Sequence, residues 1–181
     1  MDKLKLHLGC GWRDFGPDWV HIDGGDYKHI VSKDIINLEY ADNSVDVIYA
    51  SHLIAYFDRD EIVPILMGWW RKLKPGGILR LATPDFGAMA MLYQNQGCTL
   101  DQFLGPLYGK MPMGNQTIYH KTTYDFMGLK SLLGLIGFTR VQNYDWQNTD
   151  HAEFDDHSQA YIPHMDKENG VLISLNVEAI K

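Results

Sequence analysis

Short strand patterns alternate along the chain with segments of helical spacing, and this alternation restricts the fold more than any other feature. Residues 4–8 (LKLHL) alternate apolar and polar side chains and stop at Gly9. Residues 19–23, 45–50 and 78–82 are further strand candidates, and residues 138–143 and 171–177 are two late ones. Strands that alternate with helices predict an α/β fold with a mostly parallel sheet.

Two segments have the apolar spacing of a helix. Residues 60–73 place isoleucine, leucine and tryptophan three or four positions apart after an acidic start, and the KPGG sequence that follows ends the pattern. Residues 124–136 are the second segment, which Gly137 can end. No repeat or linker divides the chain, and its 181 residues are enough for one ordinary domain, 1–181.

The connection between the first two strands is unusually short. Only residues 12–19 separate Gly11 from the second strand, whereas a parallel crossover normally takes a dozen or more residues and includes a helix. The sequence Phe15-Gly16-Pro17 further opposes a helix there. We therefore expect a loop or short turn that leaves a bound ligand exposed on one side.

Composition excludes several classes of protein. The 23 acidic and 16 basic residues give a net charge of -7 with no basic run, which argues against a nucleic-acid partner. The apolar stretches are broken well before the roughly 18 residues that a membrane span needs, and the N-terminus has no signal-peptide core. The two cysteines, Cys10 and Cys98, are distant and unpatterned, so we expect a reducing, cytoplasmic location.

The glycine turn after the first strand predicts a nucleoside site. Glycines allow the backbone to bend tightly and to approach a ligand, but the third glycine of a dinucleotide fingerprint is replaced by Asp14, which would repel a pyrophosphate. Asp23, at the end of the second strand, can bind ribose hydroxyls. Asp34 could accept the exocyclic amine of adenine while Ile35 packs on the ring.

Four motifs in a fixed order resemble a known family. They are LHLGCG at residues 6–11, VHID at 20–23, DNSVDVIYASHLI at 42–54 and LKPGGILRLATPD at 73–85. The chain resembles the class I S-adenosylmethionine-dependent methyltransferases, as a small bacterial-type member with a shortened first crossover. This resemblance implies a Rossmann-like, mostly parallel seven-stranded sheet with an antiparallel last strand, and S-adenosyl-L-methionine as the cofactor.

The resemblance also implies roles for individual residues. The turn Gly9-Cys10-Gly11 would pass under the methionine part of the cofactor, and Asp23 would bind its ribose. Asp34 and Ile35 would contact adenine. Residues 86–130 would form an insertion that covers the substrate. The residues expected near the donor methyl are Ser51 and His52.

The sequence departs from the family at the acceptor side. Relatives often carry Leu-Glu-His after the fourth strand, where this chain has Ile54-Ala55-Tyr56, so a carboxylate and an imidazole are missing. His52 is the candidate general base, with a histidine packed at the sheet edge as the alternative. The other candidates are His120, as a second catalytic histidine or a plain loop residue, and Asp85 and Tyr119 as acceptor contacts.

Residues 150–157 (DHAEFDDH) contain potential metal ligands in an order that matches no known ligand spacing, so we expect a solvated acidic loop and no metal site.

The favoured function is methyl transfer from S-adenosylmethionine to a small-molecule or sugar-like acceptor. A non-catalytic nucleoside-binding relative remains an alternative, because Ala55 and Tyr56 replace polar residues. A nicotinamide-dependent oxidoreductase is disfavoured by the missing third glycine.

Overall fold

A computed structural model describes residues 3–181, in which seven strands form one sheet. The strands are β1 (Lys5–Leu8), β2 (Val20–Ile22), β3 (Ile30–Ser32), β4 (Val45–Ser51), β5 (Leu73–Pro84), β6 (Thr139–Asn143) and β7 (Ser174–Ile180). Their order is β3-β2-β1-β4-β5-β7-β6. In the described sheet, β7 runs antiparallel to both of its neighbours, and the other strand pairs are parallel. The predicted fold class is confirmed.

Four α-helices occur in the described part of the chain: α1 (Arg59–Lys72), α2 (Phe86–Asn95), α3 (Asp101–Tyr108) and α4 (Phe126–Ile136). Single turns of 3-10 helix lie at Ile54–Tyr56, Trp146–Asn148 and His157–Gln159. Two small hairpins lie outside the sheet, one pairing Met111–Met113 with Gln116–Ile118 and one pairing Tyr161–Ile162 with Val171–Leu172. Within residues 3–181, no helix has the length and apolar character needed to cross a membrane.

The helix α1 begins at a capping box. The Asp58 carboxylate accepts hydrogen bonds from the amides of Asp60 and Glu61, and the Glu61 side chain accepts one from the amide of Asp58. These bonds satisfy amides that have no partner inside the helix. The buried side of α1 includes Trp69, which is inaccessible to solvent and donates its indole N–H to the carbonyl of Ile35 at 2.8 Å. Through this bond α1 also fixes the loop that follows β3.

The two faces of the sheet differ in chemistry. The face beneath α1 and α4 is aliphatic, and its fully buried side chains include Leu6, Leu8, Ile48, Leu79, Leu81 and Val177. On the opposite face the strand register aligns one polar or aromatic residue from each of five neighbouring strands: His21, His7, Tyr49, Arg80 and Glu178. A parallel sheet covered by helices on both sides is normally apolar on both faces, so this polar row requires a different cover.

Loops cover the polar row. The connection between β1 and β2 contains turns and no helix, which confirms the expected short crossover. Its Phe15 stacks on His7 with the ring centroids 4.0 Å apart. From the long segment between β6 and β7, His151 and Phe154 stack on the same phenylalanine at 5.3 and 4.8 Å. The two loops therefore form an aromatic layer where a helix would otherwise lie.

Ionic and hydrogen-bonded contacts attach the segment between β6 and β7 to the polar row. The Tyr49 hydroxyl donates to Asp156, and Arg80 bonds both Glu178, at 2.7 Å, and Asp150, at 3.1 Å. The expectation of a solvated acidic loop at residues 150–157 is therefore only partly correct, because Asp150, Glu153 and Asp155 are exposed whereas Asp156 is buried. His151 and Asp156 are buried, because the missing first helix leaves this face of the sheet for the segment to cover.

Two strands have other boundaries than the sequence-based expectation, and one strand was not expected. The strand β5 begins at Leu73, so the KPGG sequence lies inside the strand. The pairing of β5 with β4 shifts register there, because Val45 pairs with Leu73 and Val47 pairs with Ile78. The segment 171–177 is two elements, since Val171–Leu172 belongs to a hairpin and β7 begins at Ser174. The three-residue edge strand β3 was not predicted, because IVS is too short to show a periodic pattern.

The aromatic layer should make the fold sensitive to acid. Burial lowers the pKa of His151 to about 4, and neither of its ring nitrogens has a hydrogen-bond partner. In the unfolded chain His151 takes up a proton near pH 6.5, whereas in the folded chain it does so only near pH 4. The contribution of neutral His151 to the free energy of unfolding is therefore fully present above pH ~6.5 and is lost as the pH falls towards 4. At pH 4.5 the loss from this residue should be about 2–3 kcal/mol.

Denaturant unfolding of the wild type and of His151→Phe at pH 7.5 and 4.5 measures this loss. The phenylalanine keeps the stacking and removes the titratable group, so its stability should fall less on acidification. The same substitution at the exposed His164 is the matched control and should behave as the wild type. Equal acid sensitivity of His151→Phe and the wild type would contradict the prediction.

Candidate functional site

The candidate site lies where the carboxyl ends of β1, β2 and β4 meet. The glycine turn at residues 9–11 follows β1, Asp23 follows β2, and His52 follows β4. Strand order reverses at β1, which pairs with β2 on one side and with β4 on the other. Open α/β sheets bind ligands at the carboxyl ends of their strands beside such a reversal.

Asp23 connects the ends of β1 and β2. Its Oδ2 accepts a hydrogen bond from the amide of Gly11 at 2.8 Å, and its Oδ1 accepts one from the amide of Gly25 at 2.7 Å. The residue is 8% exposed. Each carboxylate oxygen has a second lone pair, so the side chain can accept further bonds from a ligand while it holds the turn in place.

The two glycines of the turn have different surroundings. Gly9 has a φ of +66°, and a Cβ there would lie 2.9 Å from the Leu53 side chain. Gly11 has a φ of +58°, and a Cβ there would meet no atom within 4 Å. Gly9 thus makes room for Leu53, a role the sequence did not reveal, whereas Gly11 borders open space of the kind that a ligand needs.

Cys10, between the two glycines, is a buried residue. Burial and the Asp23 carboxylate raise the pKa of its thiol to about 12. Its Sγ lies 3.7 Å from Nε2 of His29. A thiol that stays protonated is a poor nucleophile, so Cys10 contributes its backbone and its packing volume to the turn.

Asp34 and Ile35 lie in the loop after β3. The exposed Asp34 carboxylate accepts bonds from the amides of Ile36 and Asn37, both at 2.8 Å, and these bonds lower its pKa. Ile35 is partly buried against the main core, and its carbonyl is held by Trp69. The loop is therefore ordered by its own turn and by α1, with Asp34 ionised and accessible.

His52 lies immediately after β4 in a left-handed backbone conformation, with a φ of +50°. Its amide donates to the carbonyl of Ala82 at 2.7 Å, and its Nε2 is 3.3 Å from Oγ of Ser174. Burial, followed by the nearby imidazole of His157, holds the pKa of His52 well below its usual value. The ring is therefore neutral at physiological pH and can accept a proton.

Two residues that the sequence reasoning missed lie beside His52. The rings of His52 and His157 are 5.0 Å apart, and Arg13 is close enough to lower the pKa of both histidines. Arg13 Nε donates to the carbonyl of Asp155 at 2.8 Å, which joins the first crossover to the segment that carries His157. No motif marks either residue, because this contact depends on the loop cover of the polar face.

The predicted second histidine, His120, belongs to an anchor of the insertion. Its Nδ1 is 2.9 Å from the carbonyl of Pro106, and its ring packs edge-on against Tyr56 at 4.6 Å. The Tyr56 hydroxyl donates to the carbonyl of Gly109, and the amides of Lys121 and Thr122 donate to the carbonyl of Ala55. Ala55 and Tyr56, which replace the family's polar residues, thus hold this end of the insertion.

Of the remaining candidates, Asp85 directly precedes the insertion and Tyr119 lies on it. Asp85 caps α2 by accepting a bond from the amide of Ala88 at 3.1 Å, and Tyr119 is 47% exposed beside His120. The hairpin of Met111–Met113 reaches the other side of the cleft, where Met113 Sδ would lie 3.5 Å from a Cβ on Gly24. The insertion therefore extends from the end of β4 to the loop after Asp23.

Open space at Gly11, free lone pairs on Asp23 and an unpartnered buried hydroxyl on Ser51 fit a ligand with ribose hydroxyls and an amino-acid tail. The site presents donors and acceptors from the turn on one side and neutral histidines on the other. This combination can hold a nucleoside cofactor next to a proton acceptor. It does not present the phosphate-binding helix terminus of a dinucleotide site, because no helix follows the turn.

Comparison with known proteins identifies the class of fold. The family model of a methyltransferase domain matches residues 18–81, and no curated protein matches the sequence significantly. A solved S-adenosylmethionine-dependent methyltransferase from Archaeoglobus fulgidus is 15% identical, with a TM-score of 0.60, over 99% of this chain and 86% of that one. One from Mesorhizobium loti is 18% identical, with a TM-score of 0.56, over 99% and 91%.

A third similar structure contains ligands. It is the 1,6-didemethyltoxoflavin-N1-methyltransferase of Burkholderia thailandensis with bound 1,6-didemethyltoxoflavin and S-adenosylhomocysteine, which is 12% identical with a TM-score of 0.58 over 98% of this chain and 70% of that one. The fold is that of the class I S-adenosylmethionine-dependent methyltransferases. The fold expected from the four motifs is therefore confirmed, and the family model covers two of these motifs in full and a third in part.

The different surroundings of the two glycines predict different costs for the same substitution. Gly11→Ala should cost roughly 1–2 kcal/mol, the strain of a left-handed non-glycine residue. Gly9→Ala carries the same strain and also displaces Leu53, which should add about 1–3 kcal/mol for overpacking. Thermal unfolding of both variants checks the difference. The account is wrong if Gly11→Ala is the more destabilised of the two.

Proposed function

We propose that the protein is a methyltransferase that uses S-adenosyl-L-methionine and acts on a small-molecule acceptor. The observation that carries the proposal is the Asp23 carboxylate joined to the amide of Gly11 at the ends of β1 and β2. Asp23 would accept the ribose hydroxyls there, beside a glycine turn that borders open space and is not followed by a phosphate-binding helix terminus. The family-model match and the solved methyltransferases of the same fold support it.

The cofactor would be held by the residues that the motifs predict. The backbone of Gly9, Cys10 and Gly11 would face the methionine part, and the free lone pairs of Asp23 would accept the ribose hydroxyls. Asp34 and Ile35 would lie at adenine. Bound S-adenosylmethionine supplies a methyl group on a positively charged sulfur, which is already activated, so the protein mainly positions the acceptor and excludes water.

The residues of this chain would then manage the acceptor's proton. Ser51 and His52 lie at the end of β4, on the side of the site opposite Asp23. The lowered pKa of His52 keeps its ring neutral, so the ring can take the proton that an acceptor hydroxyl or amine releases when it attacks. His157 and Arg13 would disfavour a positive charge on the His52 ring, because both lower its pKa.

The insertion would form the acceptor side of the cleft. Residues 86–130 include α2, α3, the hairpin of Met111–Met113 and the start of α4. His120 and Tyr119 lie along them, and Asp85 directly precedes them. His120 would either hold the insertion in place through its contact with Tyr56 or contact the acceptor directly. We propose a sugar-like acceptor within the small-molecule class, and the acidic charge of the chain disfavours RNA or DNA.

A small-molecule acceptor also agrees with the Burkholderia structure, which contains 1,6-didemethyltoxoflavin together with S-adenosylhomocysteine. We also propose a cytoplasmic location, because Cys10 and Cys98 are distant and unpatterned in the sequence. The second candidate function is a non-catalytic protein that binds the same cofactor. The observation in its favour is the use of Ala55 and Tyr56 as anchors of the insertion, and turnover of the donor distinguishes the two.

Calorimetry with S-adenosylhomocysteine tests the cofactor proposal. The wild type should bind with a micromolar Kd, and Asp23→Ala should weaken binding by roughly 1–3 kcal/mol because it removes charge-assisted hydrogen bonds. Asp26→Ala is the matched control, since Asp26 is an exposed carboxylate in the same loop, and it should bind as the wild type. Absence of heat with millimolar ligand would refute the assignment, and preference for NAD would favour an oxidoreductase.

Methyl transfer by His52→Asn tests the proposed base, once a screen of sugars and other small acceptors with labelled donor has found a substrate. Turnover should fall about 10²–10⁴-fold with little change in cofactor affinity. The wild-type rate should rise with pH to a plateau reached below pH ~6.5, because a lowered pKa frees the base earlier than an unperturbed histidine. His164→Asn should match the wild type. Unchanged turnover in His52→Asn would exclude the base.

A further inference from the structure

A buried chain of hydrogen bonds leads away from His52 along β7. Nε2 of His52 is 3.3 Å from Oγ of Ser174, and the same oxygen is 2.9 Å from Oδ1 of Asn176. Nδ2 of Asn176 is in turn 2.8 Å from the carbonyl oxygen of Ser158. Ser174 and Asn176 are each 4% exposed, so protein atoms rather than solvent decide where their protons go.

The donors and acceptors in this series of hydrogen bonds can be assigned by starting from Ser158. The carbonyl of Ser158 can only accept, so the amide nitrogen of Asn176 must face it. The amide oxygen of Asn176 then faces Ser174. The opposite amide orientation would bring two carbonyl oxygens together 2.8 Å apart with no proton between them.

The orientation of the Asn176 amide in turn determines where the Ser174 hydroxyl donates its proton. The hydroxyl has one proton, and at 2.9 Å from the Asn176 oxygen that proton must lie between the two oxygens. If the proton pointed at His52 instead, the two oxygens would again face each other without one. Ser174 can therefore offer His52 only a lone pair, and Nε2 of His52 must carry a hydrogen to complete the bond.

We propose that Ser174 and Asn176 are positioning residues that hold His52 as the tautomer protonated on Nε2, so that Nδ1 is the atom that takes the acceptor's proton. The inference rests on the proposed role of His52 as the base. In the described chain, Nδ1 makes no hydrogen bond to another residue. When it takes a proton the ring becomes an imidazolium, the Nε2–H···Ser174 bond is retained, and no proton moves along β7.

One further contact supports the arrangement. The bond from the His52 amide to the carbonyl of Ala82 fixes the backbone from which the ring projects. A histidine whose second nitrogen is bound in this way keeps both its orientation and the identity of its free lone pair.

Nitrogen NMR on the full-length protein tests the proposal. With ¹⁵N-labelled histidine at pH 7.5, long-range proton–nitrogen correlation reports which ring nitrogen carries the hydrogen, and His52→Asn assigns the signals. The expected result is an unprotonated Nδ1 and a protonated Nε2. An unprotonated Nε2 in the wild type would overturn the proposal. Because the spectrum needs neither cofactor nor acceptor, its outcome is independent of whether the protein transfers methyl groups.

Variants on β7 separate positioning from mere packing. Ser174→Ala removes the acceptor and should move the His52 signals towards a mixture of the two tautomers, whereas Ser174→Thr retains the hydroxyl and should preserve the wild-type pattern. Asn176→Leu frees the Ser174 proton for donation to Nε2 and should raise the fraction protonated on Nδ1. A pattern unchanged in both Ser174→Ala and Asn176→Leu would also overturn the proposal. If these variants fail to fold, the wild-type spectrum alone decides.

Discussion

The short connection between β1 and β2 determines most of what is distinctive in this structure. Because residues 9–19 contain no helix, one face of the sheet must be covered by other means. The strands present a polar row to that face, with His7, Tyr49 and Arg80 in register. The segment between β6 and β7 supplies the cover through aromatic stacking and the contacts of Asp150 and Asp156.

The same cover forms part of the site. The segment that packs His151 against Phe15 continues into the 3-10 turn of His157–Gln159, which places one imidazole beside His52. The carbonyl of Ser158, in that turn, also sets the direction of the hydrogen bonds that end at His52. A segment that replaces a missing helix thus contributes both a neighbour for the proposed base and the anchor of its tautomer.

The sequence predicted the parts of the molecule that depend on local patterns. Strand alternation, the glycine turn and Asp23 are local, and the structure brings them together at the carboxyl ends of β1 and β2. The roles of His157, Arg13 and Asn176 depend on contacts between distant segments, so no motif could reveal them. One signal was present: Ser174 and Asn176 alternate with Leu175 and Val177, which indicates a strand with one polar face. The burial of His151 and Asp156 was missed for the same reason, since an acidic segment normally stays in solvent.

The proposed cofactor site consists of the glycine turn and Asp23. A crystal structure of the wild type with S-adenosylhomocysteine tests this site most directly. We expect the ribose hydroxyls within hydrogen-bond distance of the Asp23 carboxylate and the homocysteine part over Gly11, with the thioether sulfur directed towards His52. Ligand density elsewhere on the sheet, or a ribose that makes no bond to Asp23, would contradict it.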